Sequence, residues 1–358
     1  MPKKRFIFWI FITLFSISVT YLWWVIIGFL KDYKNIPPDH LIGNKLSHLS
    51  RLKEEGFPFS FLVLGDTQGT ETAETLIEMA LKKDKPSFMI ILGDFVKKPD
   101  IWNHRFFLTE MIAEIKPSFP VFLVPGNHDI DYKDSKIKER HRRVTPEVYE
   151  SLYGVVNFDF IYNECLFILC GVDLKSPHLF LDYLRNTLEQ KSKGKRHIFI
   201  FIHYPPKGLD THFKEFLLGQ KDDEFFKLME DYKVTTCFFG HYHGYWRGER
   251  NGVRYIVLGG GGGRLKKSQP EWGKFHHILK ITVDSGKLSE NIISIPKQFE
   301  LEDKFEEVVF TCIFPMLGTH ERNYYLILGS LIGILGIFLF KTFRLIWPRR
   351  LKTKLSSD

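Results

Sequence analysis

The sequence predicts an α/β domain bracketed by two apolar spans, and three observations carry that expectation. From Phe57 onward, short apolar runs alternate with longer amphipathic stretches, the pattern of strands alternating with helices. Two uncharged runs, Phe6 to Leu30 and Tyr324 to Phe340, flank this region, each within or near the length a helix needs to cross a bilayer. The formal charge of +8 also has a definite location. Lys3, Lys4 and Arg5 precede the first run; Lys341, Arg344, Arg349, Arg350, Lys352 and Lys354 follow the second against Asp358 alone, which leaves 41 basic and 41 acidic residues between.

That charge distribution is a topology signal. By the positive-inside rule both ends are expected on the cytoplasmic side and the middle across the membrane, in a periplasm or lumen. Trp23 and Trp24 near the end of the first run suit an interfacial belt, and the basic start followed by an apolar stretch also fits a cleaved signal peptide, without a small-x-small cleavage site. The expected organisation is a tip and transmembrane helix over 1–30, a linker over 31–56, a catalytic domain over 57–299, a juxtamembrane segment over 300–323, a transmembrane helix over 324–347 and a basic tail over 348–358. A formally neutral body argues against nucleic acid as a partner.

Each element has a local reason. Lys45 to Glu55 is a helical candidate in the linker. Apolar runs predict strands at Phe59–Leu64, Phe88–Leu92, Val121–Val124, Val156–Ile161, Leu166–Cys170, His197–Ile202, Thr235–Phe239, Val253–Leu258 and His277–Val283. Amphipathic stretches predict helices at Thr70–Lys82, Asn103–Ile115, Pro146–Tyr153, Leu179–Ser192 and Asp222–Asp231. Glu302 to Phe314 reads as an amphipathic helix, against the bilayer or against the core. Of the four cysteines, Cys165 and Cys170 share one strand at odd separation, on opposite faces and about 17 Å apart, beyond disulfide reach.

The informative feature is how the strands end. "GDTQ" follows the first, "GDF" the second, "GNHD" the third, "HYPP" the sixth and "GHYH" the seventh. Ligands of open α/β sheets bind at the carboxyl ends of strands, so these loops offer Asp66, Gln68, Asp94, Asn127, His128, His203, His241 and His243 to one place. Singly, each is an ordinary turn or cap residue. Together, in order, they read as a metal site.

In this ordered set the chain resembles the calcineurin-like metallophosphoesterases, whose pattern is D-x-H, G-D, G-N-H-D or E, H, and G-H-x-H. The likeness covers roughly Phe59 to Ile295, and "YGVVNFDF", "IHYPP" and "GHYHGYWRGERNGVRYIVLGGGGG" look like a purple-acid-phosphatase-related branch. The resemblance implies a four-layer α/β sandwich, two mixed β-sheets flanked by helices. It implies two divalent ions, one held by Asp66, Gln68, Asp94 and His243 and the other by Asn127, His203, His241 and the bridging Asp94. The implied reaction is hydrolysis of a phosphate ester by metal-bound hydroxide. His128 would assist departure of the leaving oxygen, with Asp129 orienting its ring or capping a turn. Gln68 stands where the family has histidine, and an amide oxygen favours Mn²⁺, with Fe, Mg or Zn as alternatives.

Tethering beside a bilayer makes a lipid-linked head group the expected substrate, with soluble nucleotides or phosphomonoesters as the rival and a non-catalytic metal-binding membrane module as a third reading. Gly259 to Gly263 suits either a phosphate contact or a tight reversal of the chain. Asn103 and His104 are candidates for substrate contact, or Asn103 for a cap. Tyr242 and Trp246 flank the last metal loop, and His276 and His277 read as structural.

Overall fold

A computed structural model of the chain describes residues 41–295 except 54–55, 83–84, 110–111, 113–114, 133–141, 174–175, 177, 211–221 and 267–272, together with 8–10, 12–21, 24, 330, 333–336, 338 and 341. The chain divides into two compact units, one over Ile36–Glu306 and one made from Met1–Asn35 with Glu307–Asp358.

The larger unit contains two mixed sheets. Chain order runs β1 (Phe59–Leu64), α1 (Glu71–Leu81), β2 (Phe88–Ile91), α2 (Ile101–Thr109), β3 (Val121–Leu123), α3 (Pro146–Tyr153), β4 (Phe158–Tyr162), β5 (Cys165–Cys170), α4 (His178–Lys191), β6 (His197–Ile202), α5 (Asp222–Asp231), β7 (Thr236–Phe239), β8 (Tyr245–Arg250), β9 (Val253–Leu258), β10 (His276–Val283) and β11 (Leu288–Ile295). One sheet has the order β11-β10-β1-β2-β3 and the other β4-β5-β6-β7-β9-β8. Within them β1, β2 and β3 are parallel, as are β5, β6, β7 and β9, so each parallel set delivers its carboxyl-end loops to a single edge.

Period-two alternation sorts the side chains into layers. On β6, "HIFIFI", Ile198, Ile200 and Ile202 pack with α4 and α5, while Phe199 and Phe201 enter the space between the sheets. Likewise Leu62 and Leu64 of β1 pack with α1, and Phe59, Phe61 and Val63 face the second sheet. The inter-sheet layer is therefore phenylalanine-rich. Phe61 stacks on Phe88 with centroids 5.2 Å apart and meets Phe167 edge-on at 5.3 Å. Such pairs contribute beyond the area they bury. Cys165 lies in this layer and Cys170 in the helix-facing one; both are buried free thiols, as is Cys237.

Several expectations are corrected. The linker helix is a single turn, Leu46–Leu49. Helix α2 begins at Ile101 because the Asp100 carboxylate, accepting from the amides of Trp102 and Asn103 at 2.9 and 3.1 Å, caps it there; Asn103 is not the cap. Two strands, β8 and β11, appear where none was expected, on sheet edges with half-exposed, polar-rich sequences.

In the smaller unit the described residues near the start are helical, and Trp9, Ile10, Leu14, Ile17, Tyr21 and Trp24 are exposed. Hydroxyls there are satisfied within the helix: Thr13 donates to the Trp9 carbonyl, Ser18 to that of Leu14 and Thr20 to that of Ser16. Among the described residues no helix is long and apolar enough to cross a membrane. Part of the first apolar run, most of the second, the juxtamembrane segment, Cys312 and the basic tail lie outside the described residues.

Candidate metal centre

The loops that follow β1, β2 and β7 share a backbone device. Asp66, Gln68, Asp94 and His241 adopt φ of +57°, +51°, +50° and +64°, a left-handed conformation that side-chain-bearing residues rarely adopt. Tertiary contacts hold them there. The Asp66 amide donates to the Gly93 carbonyl at 2.9 Å and the Gln68 amide to that of Asp94 at 3.0 Å, lacing the first two loops together. Glycine is required at the crossings: a Cβ on Gly126 would fall 2.3 Å from Asp94 Oδ1, and one on Gly240 2.7 Å from Asp66 Oδ2.

The two carboxylates are arranged alike. Asp94 Oδ1 accepts the His128 amide at 2.8 Å and its Oδ2 lies 3.4 Å from His203 Nε2; Asp66 Oδ2 accepts the His241 amide at 2.7 Å and its Oδ1 lies 3.2 Å from His243 Nε2. In each, one oxygen is anchored on backbone and the other is aimed at an imidazole. Asp66 Oδ1 is buried and accepts no hydrogen bond despite that near approach.

The histidine rings are oriented by backbone carbonyls. His203 Nδ1–H donates to Leu92 at 2.7 Å and His243 Nδ1–H to Arg264 at 2.7 Å, which turns each Nε2 into the centre. His203 Nε2 then faces Asp94 Oδ2, Asn127 Oδ1 at 3.3 Å and His241 Nδ1 at 3.3 Å. A proton on Nε2 could serve one of these three acceptors; a cation could serve all of them. Two candidate ligand groups result, Asp94–His203–His241 and Asp66–Asp94–His243, with Asp94 in both and the ligand atoms of each within 4.8 Å of one another. The orphaned Asp66 oxygen and the converging lone pairs fit a pair of cations sharing one carboxylate.

Electrostatics agree with that geometry. Burial opposes charging His203, but the Asp94 charge and hydrogen bond, with Asp66 behind them, raise it to about 9; Asp94 is correspondingly held far below the carboxylate range despite its burial. His243 is also raised, Asp66 outweighing burial. His241 is pushed down to about 3 by burial and the neighbouring His203 charge, so its ring is neutral and free to donate lone pairs. Without metal, protons gather where cations would sit.

His128 lies at the open side of this group, its side chain 35% exposed and its Nε2 3.9 Å from Asp94 Oδ2. Its Nδ1–H donates to the Lys97 carbonyl at 2.5 Å. Asp129 therefore does not orient the His128 ring, which corrects the expected role. Instead it clamps two loops: Oδ2 accepts from the amides of Asp94 and Gly126, both at 2.7 Å, and Oδ1 from Phe95 at 3.0 Å and Val96 at 3.3 Å. Burial and the Asp94 charge raise it, while the four amide donors match its ionised form.

Beneath this loop sits His104, fully buried. Its neutral ring, pushed down to about 3 by burial, has both nitrogens engaged. Since the Asp129 carbonyl can only accept, Nε2–H donates to it at 2.9 Å, and Nδ1 accepts from the Tyr153 hydroxyl at 2.9 Å. His104 is thus a brace for the segment carrying Asn127 and His128.

Gln68 lies beside His243, since a Cβ on Gly263 would come within 3.1 Å of both Gln68 Cδ and His243 Cε1. The glycine run is packed onto the first loop, Gly261 and Gly263 donating to the carbonyls of Gly65 and Asp66 at 2.9 and 2.7 Å. Those two amides are used within the protein, so at these positions the run serves the close approach of chains. His276 and His277 are buried, as expected of structural residues. Sequence reading missed Tyr204, whose ring lies edge-on to His203 at 4.7 Å and to His241 at 4.8 Å, and the backbone carbonyls that fix the histidines. The "HYPP" segment offered a signal for Tyr204; the carbonyls have none.

The calcineurin-like phosphoesterase family model matches residues 59–245, and the chain belongs to that family. That family is described as one of phosphoesterases, hydrolases of phosphate esters. Among its relatives, purple acid phosphatase 23 of Arabidopsis thaliana is 22% identical over 254 residues, 58% of this chain and 54% of that protein. Among solved structures, the purple acid phosphatase PPD1 from seeds of yellow lupin (Lupinus luteus) is similar in fold, with a TM-score of 0.53 and 16% identity over 67% of this chain and 52% of that one. The chain thus spans about half the length of each.

Proposed function

We propose that the protein is a dinuclear-metal phosphoesterase, and the observation that carries this is the pair of ligand groups meeting at Asp94 with Asp66 Oδ1 left without a donor. When bound, the two cations would neutralise charge on the phosphoryl oxygens and make water acidic enough to attack at neutral pH. Asp66, Gln68, Asp94 and His243 would hold one ion; Asn127, His203, His241 and Asp94 the other. His128, its ring pinned through Nδ1 to Lys97, presents Nε2 to the leaving-group side and would give it a proton. Asp129 and His104 hold the loop that sets its reach. The test is turnover of an aryl phosphate by the purified chain: activity lost to a chelator and restored by Mn²⁺ supports the reading, and turnover indifferent to chelation rejects it.

Gln68 as an oxygen donor favours Mn²⁺, with Fe, Mg or Zn as alternatives. The basic ends, the apolar runs and the internally satisfied hydroxyls near the start support a membrane anchor at each end, with both termini cytoplasmic and the larger unit beyond the membrane. Reporter fusions at the two ends that disagree in side would overturn this. An anchored site favours a lipid-linked phosphate over a soluble nucleotide or phosphomonoester. Detergent-solubilised protein assayed on matched lipid and water-soluble phosphates separates them.

A further inference from the structure

Several arginines on the surface of the larger unit are paired with carboxylates. Arg185 lies against Glu224, Arg196 against Glu164, Arg250 against Glu230, and Arg247 and Arg254 against Glu290. Two residues at the rim of the metal centre depart from this. Arg264 and Lys266 follow directly on the glycine run, and their backbone is tied to a candidate ligand: the Arg264 carbonyl accepts from His243 Nδ1 at 2.7 Å, and the Lys266 amide donates to the His243 carbonyl at 3.2 Å. The rigid glycine run behind them, packed on Gly65 and Asp66, fixes where this segment lies.

Lys266 is also directed. Its ammonium stands 4.5 Å from the centroid of the Tyr242 ring, and Tyr242 lies between His241 and His243 in sequence. A cation over an aromatic face is held loosely enough to take an anion as well. The side chain is half-buried, Arg264 is exposed, and among the described residues neither cation has a carboxylate partner. Asp66 and Asp94 are directed into the centre.

We propose that Lys266, with Arg264 beside it, forms an anion subsite at the rim of the metal centre, selecting substrates that carry a second anionic group next to the scissile phosphate, a diphosphate or its equivalent. The subsite rests on the phosphoesterase reading above for its meaning. It lies on the side of His243 and Tyr242, so the second anion would enter beside His243.

The test is calorimetric binding to the Mn²⁺-loaded full chain in detergent, with methylphosphonate as the single anion and methylenediphosphonate as the double one, excess Mn²⁺ and bound metal checked throughout. Lys266→Met is expected to weaken methylenediphosphonate about tenfold, the loss of one hydrogen bond to a charged group, and to leave methylphosphonate within about twofold. Lys266→Arg should restore most of the difference. Equal weakening of both ligands, no weakening, or no binding of methylenediphosphonate by the unaltered chain overturns the subsite. Failure of the phosphoesterase reading is distinguishable, because it appears as absent aryl phosphate turnover in the unaltered chain whatever Lys266→Met does to binding.

Discussion

The two ligand groups around Asp94 are built to different standards. On the side of His203, the ring is fully buried, pinned by Leu92, and faced by Asp94, Asn127 and His241 on three sides, with Tyr204 edge-on behind two of the rings. On the side of His243, the ring is partly exposed, it is pinned by the exposed Arg264, and its neighbour is an amide, Gln68, admitted only because Gly263 lacks a side chain. Rigidity and dryness strengthen a site's hold on a cation; a looser, wetter pocket exchanges its ion more readily. The difference teaches that the centre has one tightly organised half and one adaptable half.

Removing the organised half should cost most. His203→Ala is expected to lower kcat/KM on an aryl phosphate by on the order of 10³-fold, several kcal/mol of transition-state stabilisation, and by more than His243→Ala does. The same side depends on its brace. His104→Phe should lower metal affinity roughly 10- to 100-fold, the usual range for a residue that orients ligands, with His104→Gln recovering part of the loss. Equilibrium dialysis of metal against the two variants distinguishes this from simple destabilisation, which would shift melting without separating Gln from Phe.

The adaptable half predicts smaller changes. Gly263→Ala, with a methyl placed 2.8 Å from the Asp66 carbonyl and 3.1 Å from Gln68 and His243, should displace one ion and leave the other, seen as a fall of metal content toward one per chain. The smallest effect is one of preference: Gln68→His should raise Zn²⁺ relative to Mn²⁺ in competitive loading several-fold, since an imidazole replaces an oxygen donor. An unchanged ratio would mean Gln68 does not reach the ion.

How much of this was legible follows from physical range. Strands with continuous apolar runs, such as Phe59–Leu64 and His197–Ile202, were visible because both faces are buried. The edge strands Tyr245–Arg250 and Leu288–Ile295 were not, because one face meets solvent and their polar residues look like loop. The ligand candidates stood out because each directly follows a strand, a local signal. Asp129 misled because three of its four partners, the amides of residues 94 to 96, are more than thirty positions away, and backbone donors leave no mark in a sequence. His104 was visible as a histidine on a helix near Asp94, but whether it faces the substrate or the core depends on where the cap falls, and Asp100 sets that.

Whether one aspartate serves both halves is most directly read from metal stoichiometry in Asp94→Asn. Two divalent ions per chain before the substitution and fewer than one after it, with the fold retained by circular dichroism, is the result this arrangement requires. Two ions still bound, with aryl phosphate turnover intact, would contradict it.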